Sequence, residues 1–262
     1  MTDLELALEL ADLADLISLD RYLASDLVVE SKPDLTPVSD ADKAVENEIR
    51  LQLAKVAADD GIIGEEFESS SSTNNREWIL DPIDGTKNFI RGVPVWATLI
   101  ALRVNGVITV GVVSSPALGR RWYASAAAGA FVIETVGGSK KVRRLAVSKV
   151  SKVSDASFAH SEIVKKDIWE GDYDNFLKLS NDVWRTRGFG DFWQHMLVAE
   201  GSIDAAVDAI GVARYDLAAP KIIVEEAGGR FTDRHGAETL TSKSAISSNN
   251  RLHDSVLKHL QV

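Results

Sequence analysis

The chain has 262 residues, a formal net charge of −10, 45% hydrophobic and 26% charged residues, and no cysteine. These proportions are those of a globular protein with a substantial core, in one large domain or two intimate ones. The acidic balance argues against nucleic acid as a partner; the missing cysteines exclude disulfides, thiolate catalysis and thiolate-held metals, and are compatible with a cytoplasmic location.

The first ten residues carry Asp3, Glu5 and Glu9 and no basic region, so no secretory signal is expected. Residues 4–24 place Leu, Ala and Ile at helical spacing with acidic residues on the other face, which predicts an amphipathic helix. Ser31 to Pro37 contains two prolines and reads as a loop. Asp40 to Ala58 predicts a second helix, with Val45, Ile49, Leu53 and Val56 on one side. Asp40 and Asp42 sit near its start, where acidic side chains cap the backbone and favour the helix dipole. Ile62 to Phe67 reads as a short strand running into Glu65 and Glu66, and Glu68 to Asn75, rich in Ser and Asn, as a loop.

Trp78-Ile79-Leu80 suits a buried strand, and Pro82 cannot donate to a ladder, so the strand is expected to stop there. Four more strands are predicted at Val95–Arg103, Val107–Ser114, Arg121–Ala124 and Ala130–Val136, with a hairpin turn at Asn105-Gly106. The longest strongly apolar run, Val93 to Leu102, is too short to span a bilayer, so no membrane partner is expected. Lys140, Lys141, Arg143 and Arg144 read as a solvated loop. Beyond Val150, predicted helices at Asp172–Asp182, Asp191–Glu200 and Leu217–Ala227 alternate with short strands at Val183–Arg187, Ala205–Val207 and Ala245–Ser247. The expected fold class is α/β. An α+β half with an antiparallel sheet covers residues 1–148, and an α/β half covers 149–262, packed together without a flexible linker.

The chemistry narrows by elimination. The five histidines form no His-x-x-x-His pair and read as core or surface residues. There is no Gly-x-Ser-x-Gly elbow, no P-loop and no dinucleotide fingerprint. Oxygen-ligand chemistry remains. Asp81-Pro82-Ile83-Asp84-Gly85-Thr86 puts two carboxylates three residues apart on a bend, followed by the amides of Gly85 and Thr86. Such a stretch can join divalent cations to a phosphate. Taken singly it is also an ordinary surface turn, and Asp216, next to Leu217-Ala218-Ala219-Pro220, is also an ordinary helix cap.

Three segments together go further. Gly64-Glu65-Glu66, Trp78 to Thr86, and Tyr215-Asp216-Leu217-Ala218-Ala219 with Glu226-Ala227-Gly228-Gly229 resemble the signature segments of the inositol monophosphatase family, in order and separation, over almost the whole chain. The resemblance implies a layered αβαβα sandwich and hydrolysis of a phosphate monoester by a metal-activated water. It implies Mg²⁺, two or three ions per site, held by Glu65, Asp81, the main-chain oxygen of Ile83, Asp84 and Asp216. It further implies Thr86 backed by Asp42 for activating that water, the amides of Gly85 and Thr86 for phosphate, and a homodimer.

Substrate choice is expected outside the metal ligands. Arg187-Gly188-Phe189-Gly190-Asp191-Phe192 carries Asp and Phe where inositol monophosphatases usually have Ser or Thr and then Ala. A carboxylate at Asp191 suits a cationic leaving group, with Phe192 as an apolar wall and Arg187 alongside. Asp191 is equally an expected cap for the helix it starts. Gly85 to Trp96 and Lys32-Pro33-Asp34-Leu35-Thr36-Pro37 also resemble the histidinol-phosphatase branch, which points to histidinol phosphate as the small phosphorylated substrate. An inositol-phosphate or broad phosphomonoesterase, and a metal-binding module without turnover, are the alternatives. One departure stands out: many relatives carry a substrate-binding Glu seven residues before the Asp matched by Asp216, where this chain has Ala209, with Asp208 adjacent. Tyr215 also stands where Trp is common.

Overall fold

In the computed structural model, which describes residues 1–163, 169 and 172–260, the chain forms five layers around two sheets. Helix α1 (Asp3–Arg21) starts in a capping box, in which Thr2 Oγ1 accepts from Glu5 N–H and Thr2 N–H donates to Glu5. Its buried stripe of Leu6, Ala7, Leu10, Ala11 and Ala14 lies beside α2 (Asp40–Val56), whose Val45, Ile49 and Leu53 are also buried. Both helices cover one face of a seven-stranded sheet. That sheet runs in chain order: β3 (Gly61–Gly64), β4 (Arg76–Asp84), β5 (Ala97–Val104), β6 (Val107–Ser115), β7 (Arg120–Ser125), β8 (Gly129–Val136) and β9 (Ser139–Arg144).

Helices α5 (Asp191–Ala199) and α6 (Arg214–Glu226) fill the middle layer. One core cluster runs from Ile79, Leu99 and Trp122 of the large sheet through Met196 and Ile223 to Ala206 and Ala245 of the second sheet. This second sheet has the order β11 (Arg185–Gly188), β10 (Ser157–His160), β12 (Ala205–Asp208), β14 (Ala245–Ser248), β13 (Arg230–Thr232). Its other face carries α4 (Tyr173–Asp182) and α7 (His253–Leu260) around Phe158, Phe176 and Val256. The αβαβα arrangement and the mixed α/β class implied by the sequence are therefore those observed. None of the described helices is long and apolar enough to cross a membrane.

Several local expectations change. Residues 31–37 are a loop only at the tip of a hairpin, β1 (Val29–Ser31) with β2 (Pro37–Ser39). Pro37 is tolerated there because a two-stranded ribbon has free edges. The basic run from Lys140 to Arg144 is edge strand β9 rather than a loop, fully exposed, as suits a charged sheet edge. The large sheet is not wholly antiparallel, since β3 runs parallel to β4. Strands β10 and β13 escaped prediction because they are short, as did α7, which has only eight residues although Val256, Leu257 and Leu260 form a buried face.

His253 shows how the polar core is satisfied. Thr232 Oγ1 donates to the Asp233 carbonyl (2.7 Å), so toward His253 it can only accept, from Nε2–H at 2.9 Å. Nδ1 then accepts from Ser248 Oγ at 2.8 Å. Burial, helped by Arg230, pushes the imidazole down from its ordinary 6.5 to about 4. Above pH 6.5 the ring is neutral in both folded and unfolded chains. Below it the unfolded chain takes up the proton first, so this group's contribution is lost as pH falls from 6.5 toward 4, up to about 3 kcal/mol. Thermal unfolding at pH 7 and pH 5 should show the gap in Tm between wild type and His253→Gln narrowing at the lower pH.

Candidate active site

The large sheet presents its acidic residues through a bulge. Strand β4 pairs with β5 up to Asp81 opposite Leu99, slips, and resumes with Asp84 opposite Ala97. The ladder is therefore interrupted at Pro82 and Ile83 and does not end there. The Pro82 carbonyl is still satisfied, by Thr98 Oγ1 at 2.8 Å. A bulge re-aims side chains, and here it leaves Asp81 and Asp84 near each other. Gly85 follows at φ +84°, and a Cβ there would lie 3.0 Å from the Val95 carbonyl, so glycine is needed both for the turn and for the close approach. Short helix α3 (Thr86–Ile90) begins next.

Asp216 arrives from the middle layer. It does not precede its helix; it is the third residue of α6, where its Oδ2 accepts the Ala213 N–H at 2.6 Å. Asp81, Asp84 and Asp216 each offer a carboxylate oxygen, all within 4.8 Å of one another. Burial first, then Glu65, Asp84 and Asp216, raises the Asp81 carboxyl well above the carboxylate range. Burial, Asp191 and Asp216 do the same to Asp84. Asp216 is pushed up to about 7, mainly by burial. Asp81 Oδ1 is buried without a hydrogen-bond partner. Three crowded carboxylates with an unpartnered oxygen form a donor set that fits a hard divalent cation.

Glu65 lies outside that tight group but close enough to raise Asp81 and Asp216. Lys32, at the tip of the β1–β2 hairpin, bridges Glu65 Oε1 and Glu66 Oε1 at 2.7 Å each. Buried Glu46 of α2 fixes this corner by accepting the Glu66 and Phe67 amides at 2.8 and 3.3 Å. A Cβ on Gly64 would fall 2.0 Å from Glu46 Oε1, which accounts for the glycine before the two glutamates. Thr86 Oγ1 sits 3.0 Å from the Ile83 carbonyl and 3.3 Å from Asp42 Oδ1. The other Asp42 oxygen takes the Ser39 amide and hydroxyl, so Asp42 caps α2 and reaches Thr86 at once. Burial raises its carboxyl.

Asp191 opens α5 in the left-handed region at φ +49°, a conformation that non-glycine residues adopt at a cost of about 1 kcal/mol or more. Its carboxyl faces the cleft, accepts from Asn88 Nδ2 at 3.3 Å, and is pushed up to about 6 by the surrounding protein and by Asp208. The next amide, of Phe192, donates to Asp84 Oδ2 at 2.6 Å. Phe192 is among the residues lining the cleft, although its side chain is 1% exposed and its ring packs in the middle layer against Trp122. Phe189, stacked edge-on with Trp193, lines the cleft as well. One expectation needs correction here. Arg187 is exposed on edge strand β11, with its guanidinium on the Thr186 carbonyl and away from the cleft lining. Ala209 is buried, whereas Asp208 lines the cleft of about 560 Å³ together with Asp84, Asp191 and Asp216.

A sequence model of the inositol monophosphatase family matches residues 3–262. The chain belongs to this family. It is 50% identical over 266 residues to a histidinol-phosphatase of Streptomyces coelicolor, covering 99% of this chain and 97% of that protein. It is 49% identical to a histidinol-phosphatase of Mycobacterium tuberculosis, with 98% and 97% covered. The fold matches an IMPase of Thermotoga maritima with a TM-score of 0.85 at 30% identity, covering 99% of this chain and 97% of that one. The family is one of metal-dependent phosphoric monoester hydrolases, and the acidic cluster fits that chemistry.

Sequence reasoning assigned no role to Glu46, Lys32, Phe189 and His195. Lys32 carried a signal in the segment that resembled the histidinol-phosphatase branch, and Phe189 in the segment 187–192 that also holds Asp191. The raised carboxyls mean that repulsion in the metal-free fold is fully present above their folded pKa values and is relieved as pH falls. Asp84→Asn keeps an oxygen for the Phe192 amide and removes one charge. Thermal unfolding at pH 8 with a chelator should therefore place the Tm of Asp84→Asn about 2–5 °C above wild type, while the rise of about 5 °C expected for wild type on adding Mg²⁺ is largely lost.

Proposed function

We propose that the chain hydrolyses histidinol phosphate to histidinol and inorganic phosphate with Mg²⁺ as its cation. Glu65, Asp81, the Ile83 carbonyl, Asp84 and Asp216 would hold the cations. Bound there, Mg²⁺ supplies charge neutralisation for the phosphoryl group and acidifies water. The protein's part begins with Thr86, whose hydroxyl can pass a proton to Asp42, a buried carboxyl with raised affinity for it. The leading amides of α3, at Gly85 and Thr86, lack partners within the helix and suit phosphate oxygens. Attack is then in line, with the alcohol leaving on the side opposite the incoming water.

The observation that carries the substrate is the second acidic pair. Asp191 and Asp208 share the cleft with Asp84 and Asp216, and Asp208 raises Asp191. A neutral polyol gives such a pair no counter-charge. An alcohol bearing an ammonium and an imidazole does, and Phe189 offers that ring an aromatic neighbour. Asp208, which lines the cleft, would take the role of the Glu that Ala209 replaces. The similarity to two histidinol-phosphatases supports the same reading. The family resemblance further implies a homodimer, which sedimentation of the purified protein would check, and the missing cysteines are compatible with a cytoplasmic location.

Phosphate release in Mg²⁺ should give a kcat/KM at least tenfold higher for histidinol phosphate than for inositol 1-phosphate; equal efficiencies would favour a broad phosphomonoesterase. Asp84→Asn should lower kcat by about a hundredfold or more. Asp191→Asn tolerates the left-handed backbone and removes only charge, so it should raise KM for histidinol phosphate about tenfold; an unchanged KM would leave Asp191 as a helix-capping residue.

A further inference from the structure

Helix α5 does more than present Asp191. Residues three and four positions on, Gln194 and His195, lie on the same helical face and are buried, at 0% and 2% exposure. Their polar atoms converge on Asp208 of β12. Gln194 Nε2 donates to Oδ1 at 2.7 Å, and His195 Nε2 lies 2.7 Å from Oδ2. A carboxylate accepts only, so Nε2 carries the imidazole proton. Nδ1 is then the acceptor, and Ser247 Oγ of β14 donates to it at 2.8 Å. One hydrogen-bonded chain, Ser247 to His195 to Asp208, thus crosses three elements and ends at the wall of the cleft.

We propose that His195, with Gln194, is a positioning residue that holds Asp208 as the second carboxylate of a subsite for a cationic leaving group. The proposal rests on the substrate reading above. Two carboxylates facing one cleft repel each other, so Asp208 needs partners to stay beside Asp191. Donors on both Asp208 oxygens fix its rotamer and leave one lone pair on each oxygen free for a substrate cation. Ser247 keeps the imidazole in the tautomer that can donate to Asp208. No distance in sequence announces this cluster, since its members are separated by 13 and 52 residues.

The test uses the full chain in Mg²⁺ with two esters, histidinol phosphate and uncharged-alcohol glycerol phosphate. His195→Phe keeps a ring of similar size and removes both nitrogens. It should raise KM for histidinol phosphate about tenfold with kcat within threefold, and lower the ratio of kcat/KM between the two esters by about tenfold. His195→Gln restores a donor near the Nε2 position and should recover most of that ratio. Should thermal unfolding show His195→Phe to be misfolded, Ser247→Ala, which removes only the donor to Nδ1, should lower the same ratio about threefold. Equal losses on both esters, or an unchanged ratio in these variants, would overturn the positioning role. Wild type that fails to prefer histidinol phosphate over glycerol phosphate would instead overturn the substrate reading.

Discussion

The structure is organised around carboxylates that repel one another. Asp81, Asp84 and Asp216 crowd within 4.8 Å in a buried setting, and Glu65 and Asp191 add to their field. A protein selected only for stability would separate such groups or pair each with a cation, because unpaired buried charge is costly. Here the surrounding elements force them together: a bulge in β4, the first turn of α6, and the start of α5 in a left-handed conformation. The bulge and the left-handed Asp191 are local departures from regular geometry, and all three elements meet at one place. The arrangement fits the metal dependence of the family.

Several of the residues serve the backbone and the site with different atoms. Asp42 caps α2 with one oxygen and meets Thr86 with the other. One oxygen of Asp216 accepts the Ala213 amide at the start of α6, yet its carboxylate belongs to the acidic cluster. Asp84 accepts the Phe192 amide while remaining in the same cluster. The ordinary reading of these positions as caps and the functional reading are therefore not alternatives. Capping is what fixes the rotamer and lets a second lone pair be aimed with precision.

This explains what the sequence made legible. Apolar patterning marked α1, α2 and the strands from Ala97 to Val136 to within a few residues, since the two helices are long with one buried face and the strands carry sustained apolar runs. The short strands β10 and β13 are set by their neighbours in the second sheet and leave little trace in three or four residues. In the site, the metal-ligand candidates were visible because they sit in compact segments with turn residues at fixed offsets. Arg187 was misplaced because a sequence does not say which way a side chain on a short edge strand turns. His195 and Asp208 were invisible as a pair, because only the β12–α5 packing joins them.

The two ends of the cleft thus have different origins. The end with the acidic cluster draws on the large sheet and α6, whose positions are locked by the shared core. The other end draws mainly on α5, which sends Asp191 to the cleft and Gln194 and His195 to Asp208. The ends touch through the Phe192 amide on Asp84, so the start of α5 is tied to the cluster whatever its side chains are. That tie is made by backbone. On the proposed reading, side chains on α5 and β12 would change the leaving group that is accepted while the acidic cluster keeps its geometry. A family with one cation centre and many phosphate esters is what such a division permits.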